Sequence, residues 1–307
     1  MIFKYIFPQD KAISREVFTL ALPVILSNLS RVLMSLIDVA MVGRLGAAAI
    51  AATGMGAMLF WGALSLVLGI RTAVQTVASR RLGQKKFNQC GTAFHNGLLM
   101  ATLYSIPVSI AGWLWAKDFI PYFINDIEAT PMAAEYSSII FLTLLFSALS
   151  FVFQGFYTGI EKTRIHLRVT VTSNIINVYL NAGLIYGSEG MKDFIQETIP
   201  ALSFLAPLWQ WTVFPALGVK GAAIATLVAS AWMALHYFTH LFSKQVRHKF
   251  NVFALSVDLS MMRRQLKLAL PQGIQEMVIA VGWSVFYKIM GLIGLIELAT
   301  TELLFTI

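Results

Sequence analysis

Residues 20–46 read LALPVILSNLSRVLMSLIDVAMVGRLG, and their first four, Leu20-Ala21-Leu22-Pro23, recur 248 positions later as Leu268-Ala269-Leu270-Pro271. Laid over each other without gaps, residues 15–52 and 263–300 are identical at eight of 38 positions. The matches are Arg15, the tetrapeptide, Gly43, Gly46 and Ala51 in the first copy, and Arg263, the tetrapeptide, Gly291, Gly294 and Ala299 in the second. They fall in order and bracket apolar stretches of equal length, which is how an internal duplication reads. The second copy starts close to the end of the chain, so the sequence predicts one complete unit and the start of another.

Hydrophobic residues make up 57% of the 307 residues, charged residues 12%, and the mean hydropathy is +0.71. A soluble domain carries about 25% charge, so the chain reads as an all-α integral membrane protein. Apolar runs long enough to span a bilayer lie near 17–42, 53–79, 91–115, 134–157, 167–187, 218–242 and 266–290. An eighth begins near 294 and is still apolar at Ile307, so the expectation is a chain cut within its eighth helix. The first run exceeds a signal-peptide core and lacks a clear small-residue cleavage site, so it counts as a span. Cys90 is the only cysteine, which excludes an internal disulfide.

The net charge of +8 suggests nucleic acid until its distribution is considered. Of 23 Lys and Arg, 16 fall in four segments: three at the N-terminus, four in 80–86, three in 162–168 and six in 244–267. The alternate segments hold only Arg44, Lys117, Lys192 and Lys220, while Arg31, Arg71 and Lys288 lie within apolar runs. Positive charge collects in cytoplasmic loops. The N-terminus is therefore expected inside, with seven spans alternating without conflict and no role for nucleic acid.

Segment 199–217 carries three prolines within 16 residues, together with Trp209 and Trp211. It reads as an interfacial or re-entrant segment on the outer side, since a further crossing would place the 244–267 cluster outside. Six crossings separate the two copies of the repeat, so both run outward from the cytoplasm. Parallel repeats of this kind are related by a pseudo-two-fold axis along the membrane normal. The predicted domains are a six-helix lobe over 1–250 and the start of a second lobe over 251–307.

Two spans carry polar stripes. Asn28, Arg31, Ser35 and Asp38 are spaced by three, four and three residues, and Thr170, Asn174, Asn177 and Asn181 by four, three and four. Each set shares one helix face. A polar stripe in a membrane needs partners or water, so both should face a bundle interior or a cavity. Asp38, Asn177, Asn181 and Thr226 lie roughly 8–15 Å below the outer ends of their helices at 1.5 Å of rise per residue. One carboxylate, two amides and a hydroxyl at similar depth can form a proton or cation site, and an intramembrane carboxylate is expensive enough to imply a function. The alternative for the asparagines is plain interhelical bonding, about 0.6 kcal/mol each.

Arg31 lies about 10 Å of rise inward of Asp38, where it can pair with the acid through water, line a substrate path, or neutralise the acid. Arg71 is expected to snorkel towards Arg80 and Arg81. Glu276, at the position equivalent to Asn28, is a candidate for a second-lobe ion site or a contact between lobes. Asp38 itself corresponds to Phe286.

Signals for enzyme chemistry are poor. His236 and His240 have metal-ligand spacing but no accompanying zinc motif, and read as part of an aromatic belt. Gly54 and Gly56 lack the strand and third glycine of a nucleotide fingerprint, and no Walker A motif is present. A membrane enzyme is disfavoured, as is a seven-span receptor, given the inside N-terminus.

The stretch from Leu20 through Asp38 to Gly46 resembles the first helix of the multidrug and toxic compound extrusion (MATE) family. Phe153–Arg164 resembles that family's inner loop between helices four and five. Asn174–Gly187 and Leu217–Thr226 resemble its fifth and sixth helices, and the likeness spans about 15–300. The resemblance implies two lobes of twelve helices in all, in a multi-pass protein of the inner (plasma) membrane that is monomeric when complete. It implies an antiporter without cofactor, exporting amphipathic or cationic drugs in exchange for H⁺ or Na⁺. By motif, Asp38 takes up the ion, with Asn177, Asn181 and Thr226 around it and no metal beyond Na⁺. Arg31 and the 199–217 insert depart from the pattern, as does an amide at Asn181, where some members have an aspartate. A flippase for a lipid-linked saccharide, with Arg31 and Arg71 on a pyrophosphate, is the alternative; an inactive fragment of the exporter is another.

Overall fold

The computed structural model describes residues 11–124, 126–198, 207–209 and 213–306, and the regular elements of these residues are helical. In order they are α1 (Lys11–Gly43), α2 (Ala47–Gly83), α3 (Phe87–Phe119), α4 (Ala129–Gly159), α5 (Thr163–Thr198), α6 (Val219–Thr239), α7 (Lys244–Phe250), α8 (Leu259–Ile293) and α9 (Leu295–Thr306). Short 3₁₀ turns at Ile120–Tyr122 and His240–Phe242 extend α3 and α6.

Each predicted span lies on one of these helices. Most helices run past the apolar cores because their ends carry polar residues that need not lie in hydrocarbon; α6, at Val219–Thr239, instead falls within the predicted 218–242, which a 3₁₀ turn completes. Six of the described helices are long and apolar enough to cross a membrane: α1 to α4, α6 and α8. α5 is not among them because the stripe from Thr170 to Asn181 lowers its hydropathy, although it packs between α1 and α6 as a helix of the bundle. It also continues beyond the predicted end. Gly187, at φ +76, breaks the helical path and lets the chain resume as helix to Thr198, a conformation that costs a residue without Cβ nothing sterically.

Two features differ from the sequence reading. Part of the basic segment 244–267 is helical: α7 buries Val246 and Phe250 while its charged residues stay outside. Asp258 then caps α8, accepting from the backbone N–H groups of Met261 and Ser260, and these bonds hold its carboxyl below the usual carboxylate range. Arg71 does not snorkel. Its Nη1 donates to Gln154 Oε1 at 3.5 Å and its guanidinium lies 5.7 Å from the Phe151 ring, so α4 holds it inside the bundle. Of the 199–217 segment, residues 199–206 and 210–212 lie outside the described residues. Trp209 stacks on Tyr179 of α5 and donates its indole N–H to Tyr179 O at 2.9 Å.

α2 is the hub, packed mainly on α4 and α8 and also against α3 and α9. The largest core joins α2, α3, α4, α6 and α7 through Phe94, Phe153, Phe156, Tyr157, Tyr237 and Phe250. Lipid tails are as apolar as side chains, so helices in a bilayer associate through close packing, for which small residues are suited. At the α2–α8 crossing, a Cβ on Gly69 would collide with the carbonyl oxygen of Ala269, and one on Gly273 would meet Leu66 at 2.8 Å.

This crossing yields a paired prediction. Gly69→Ala should cost about 1–3 kcal/mol through overpacking, read as a lower unfolding temperature in detergent. Gly282→Ala, where an added Cβ meets nothing within 4 Å, should leave that temperature unchanged or raise it slightly. Equal behaviour of the two variants would contradict the close crossing.

Candidate functional site

The polar stripes of α1 and α5 meet. Asn181 Nδ2 donates to Asp38 Oδ1 at 2.6 Å and to Asn177 Oδ1 at 3.0 Å. The two asparagines are one helical turn apart, which is why one amide can reach across to α1 and along its own helix together. Asn177 and Asn181 are 6% and 1% exposed. Asn181 Oδ1 is buried and has no hydrogen-bond partner among the described residues, an unsatisfied acceptor beside a carboxylate. Buried polar atoms are rarely left unpaired, so such an atom calls for an explanation.

Asp38 and Asn181 line a cavity of about 140 Å³ together with Ser35, Thr53, Tyr136, Thr226 and Glu302. Thr226 Oγ1 donates to Ala222 O at 2.9 Å, which leaves its lone pairs free to accept. Carboxylate, amide and hydroxyl oxygens around one small space are the ligands a hard monovalent cation takes, and they serve equally as stations for a proton.

A second cavity of about 450 Å³ adjoins the first, and Ser35, Ala57 and Glu302 line both. Arg31, Glu276, Trp61, Trp283 and Tyr287 also form its walls. Four pairs on these walls are 248 residues apart: Arg31 with Ile279, Val32 with Ala280, Ser35 with Trp283, and Gly54 with Glu302. The last pair touch, since a Cβ on Gly54 would lie 2.6 Å from a Glu302 carboxylate oxygen. Such lining of one space by positions 248 residues apart is the arrangement expected if the two copies of the repeat are related by an axis through it.

The remaining predicted residues divide. Ser35 lines both cavities, and Arg31 and Glu276 line the larger one. Arg31 Nη2 donates to Asn28 Oδ1 at 2.7 Å, so its described partner is that amide and not Asp38. Glu276 accepts from Gln272 at 2.9 Å. Asn174 leaves the group: its amide donates to Ser30 O and Oγ at 3.1 and 2.8 Å, joining α5 to α1 away from the cavity. Thr170 lies deeper, beside His166. His236 and His240 stack on each other at 5.2 Å, and among the described residues no group of three or more His, Cys, Asp or Glu could hold a metal ion.

Glu302 is the residue that sequence reasoning missed. It accepts a hydrogen bond from Tyr287 Oη at 2.5 Å and stands in the wall between the two cavities. One signal points to it in retrospect: it is a carboxylate inside an apolar run. Tyr136 was also missed, for it reads as one more aromatic residue of an apolar helix.

The family model MatE matches residues 23–182, which is more than half of the chain. A probable multidrug resistance protein NorM of Rhodopseudomonas palustris is 24% identical over 258 residues, covering 83% of this chain and 49% of that protein. Its counterpart from Thermotoga maritima is 22% identical over 303 residues, covering 95% and 58%. A MOP superfamily transporter from Pyrococcus furiosus superposes with a TM-score of 0.73 at 18% identity, covering 90% of this chain and 55% of that one. The eukaryotic MATE transporter AtDTX14 gives 0.71 at 18% identity, covering 91% and 56%. The chain spans about half the length of the curated relatives it matches.

The geometry sets an order of effects within the α5 stripe. Asn181→Ala removes the donor to a carboxylate and should lower stability in detergent by about 1.5–3 kcal/mol. Asn174→Ala removes a neutral contact and should cost about 0.6 kcal/mol. Thermal unfolding of the two variants side by side checks the order, and a reversed order would remove Asn181 from the role of principal partner.

Proposed function

Because the chain belongs to the MatE family, we propose that it is the ion-coupled part of a secondary transporter exporting amphipathic, cationic compounds in exchange for H⁺ or Na⁺. The observation that carries this reading is the unsatisfied Asn181 Oδ1 beside Asp38, in a small cavity that shares a wall with a larger one. The first has the ligands of a coupling ion, and the second has room for a drug.

In this reading Asp38 takes the proton or Na⁺. The acceptor oxygens of Asn181 and Thr226 complete the shell for a metal cation, and Asn177, by accepting from the Asn181 amide, holds that side chain in place; for a proton the Asn181 amide stabilises the charged state until it arrives. The larger cavity holds the exported compound. Its 450 Å³ falls within the range of drug-sized sites. Trp61 and Trp283 offer ring faces, and Glu276 and Glu302 offer negative charge to an organic cation. The relatives' names as multidrug resistance proteins support export of such compounds. The lipid-linked saccharide reading has no comparable support.

Coupling follows from the shared wall. A ligand shifts a conformational equilibrium only through different affinities for the two states. Loading Asp38 changes the charge behind Ser35 and Glu302, so ion and drug alter each other's affinity, and the effect is reciprocal. The four pairs of equivalent residues around the larger cavity support a lobe over 1–250 facing the start of a second over 251–307. Alternating access then takes place about that cavity. The basic segments support a cytoplasmic N-terminus.

Asp38→Asn in the complete transporter, expressed in a drug-sensitive host, should abolish resistance while membrane expression is retained. Resistance equal to wild type would sink the proposal. Glu302→Gln keeps the shape but removes the charge, and should raise the concentration of cationic drug needed for half-maximal transport by about tenfold. An unchanged value would place Glu302 outside the drug path.

A further inference from the structure

A third cavity, of about 130 Å³, lies among α1, α4, α5 and α6, deeper along α5 than the Asp38 site. Arg31, Ser150, Gln154, His166, Thr170 and Tyr237 are among its lining residues, and none of the lining residues is acidic. Arg71 reaches its edge through Gln154. No ion pair within 4.0 Å involves Arg31 or Arg71 among the described residues. Both guanidinium groups therefore sit on apolar helices without a carboxylate in contact: Arg71 is half-buried, and Arg31 is exposed, lining the larger cavity as well as this one, so it presents free donors to both.

The hydrogen bonds around the cavity have a direction. Arg71 can only donate, so Gln154 turns its oxygen to Arg71 and its amide nitrogen to His166, at 3.0 Å from Nε2. His166 Nε2 therefore accepts, which places the ring proton on Nδ1, and Nδ1 donates to Tyr237 Oη at 2.6 Å. Thr170 Oγ1, 3.3 Å from His166 Nδ1, also bonds the Tyr237 hydroxyl, and with Thr170 donating to that oxygen the proton of Tyr237 is offered onward. Ser150, 4% exposed, has a hydroxyl with no partner among the described residues. Arg31 uses one bond on Asn28, and its guanidinium has five N–H donors. The space is thus supplied with donors and lacks a negative charge.

From this we propose that the cavity is a halide-sized anion site, holding a chloride-class ion between the Arg31 guanidinium and the hydroxyls of Ser150 and Tyr237. Its volume is less than half the lower bound of about 300 Å³ for drug-sized ligands, so a monatomic ion fits where an exported compound does not. The ion compensates Arg31 and leaves the acids of the other two cavities unpaired with it. The site is independent of the ion chosen for coupling and of the exported compound, so it stands or fails apart from the transport reading.

The test is a halide titration of the purified full-length protein in detergent, following its unfolding temperature in chloride, bromide or gluconate at constant ionic strength. Chloride and bromide should raise that temperature saturably over gluconate. Ser150→Ala and Tyr237→Phe should each shift the half-saturating concentration upward by about tenfold, as expected for one hydrogen bond to a charge. Arg31→Gln should abolish the response, and anomalous scattering from bromide-soaked crystals should place the ion in this cavity. Three outcomes would overturn the proposal: no difference between halide and gluconate, which leaves only water in the cavity; a response unchanged in all three variants; or bromide located elsewhere. If Arg31→Gln does not fold, the two milder variants and the bromide position decide.

Discussion

A carboxylate placed inside an apolar helix bundle has lost the water that would solvate it, and the bilayer offers nothing in return. It is tolerable only where neighbours supply donors, or where an ion or proton neutralises it. The Asn181 amide does the first for Asp38, at 2.6 Å, and the second is the role proposed above for a proton or Na⁺ in the cavity they line. Much of the molecule serves this contact. α5 must lie against α1 along its length, so it carries a polar stripe that makes it less apolar than its neighbours. The small residues of the bundle let backbones approach closely: a Cβ on Gly221 would collide with the Leu184 carbonyl, where α6 crosses α5 one turn from Asn181.

The second organising feature is the near-symmetry of the larger cavity. The sequence repeat holds only eight identities in 38, yet residues 248 positions apart line the same cavity. Arg31 faces Ile279 and Gly54 faces Glu302. Those two pairs set a charged side chain against an apolar or absent one, so the equivalent positions differ in charge.

The polar groups of α5 serve two different ends of the bundle. At one end Asn181 lines the cavity beside Asp38 while Asn177 accepts from its amide, the setting proposed above for a proton or cation. Two and three turns deeper than Asn177, Thr170 and His166 line a space rich in donors, the setting proposed above for an anion. One helix can do both because amides and imidazoles acquire their direction from what they touch. Asn181 gives its N–H to a carboxylate, and its oxygen is left over. Gln154 gives its oxygen to an arginine, and its N–H is passed on.

The helices, their order and their membrane character were legible because hydropathy is a local property, and a run of apolar residues needs no partner to be recognised. The 248-residue repeat and the shared faces of the two stripes were legible for the same reason, since helical periodicity is set by the backbone alone. The neighbours of each polar residue were not. Asn174 and Asn181 lie on one stripe and look alike in sequence, yet one bonds a serine on α1 while the other meets Asp38. That difference depends on how far α5 slides along α1. Arg71 looked free to snorkel until Gln154, 83 positions away, engaged it. Glu302 was one acid in an apolar run until α9 folded back on α2 and set it against Gly54. The sequence by itself determined what kind of helices form and which residue types they carry at which depth. Only the tertiary structure decided which polar atoms satisfy one another and which are left facing a cavity, because those pairings depend on distances between helices that no local pattern records.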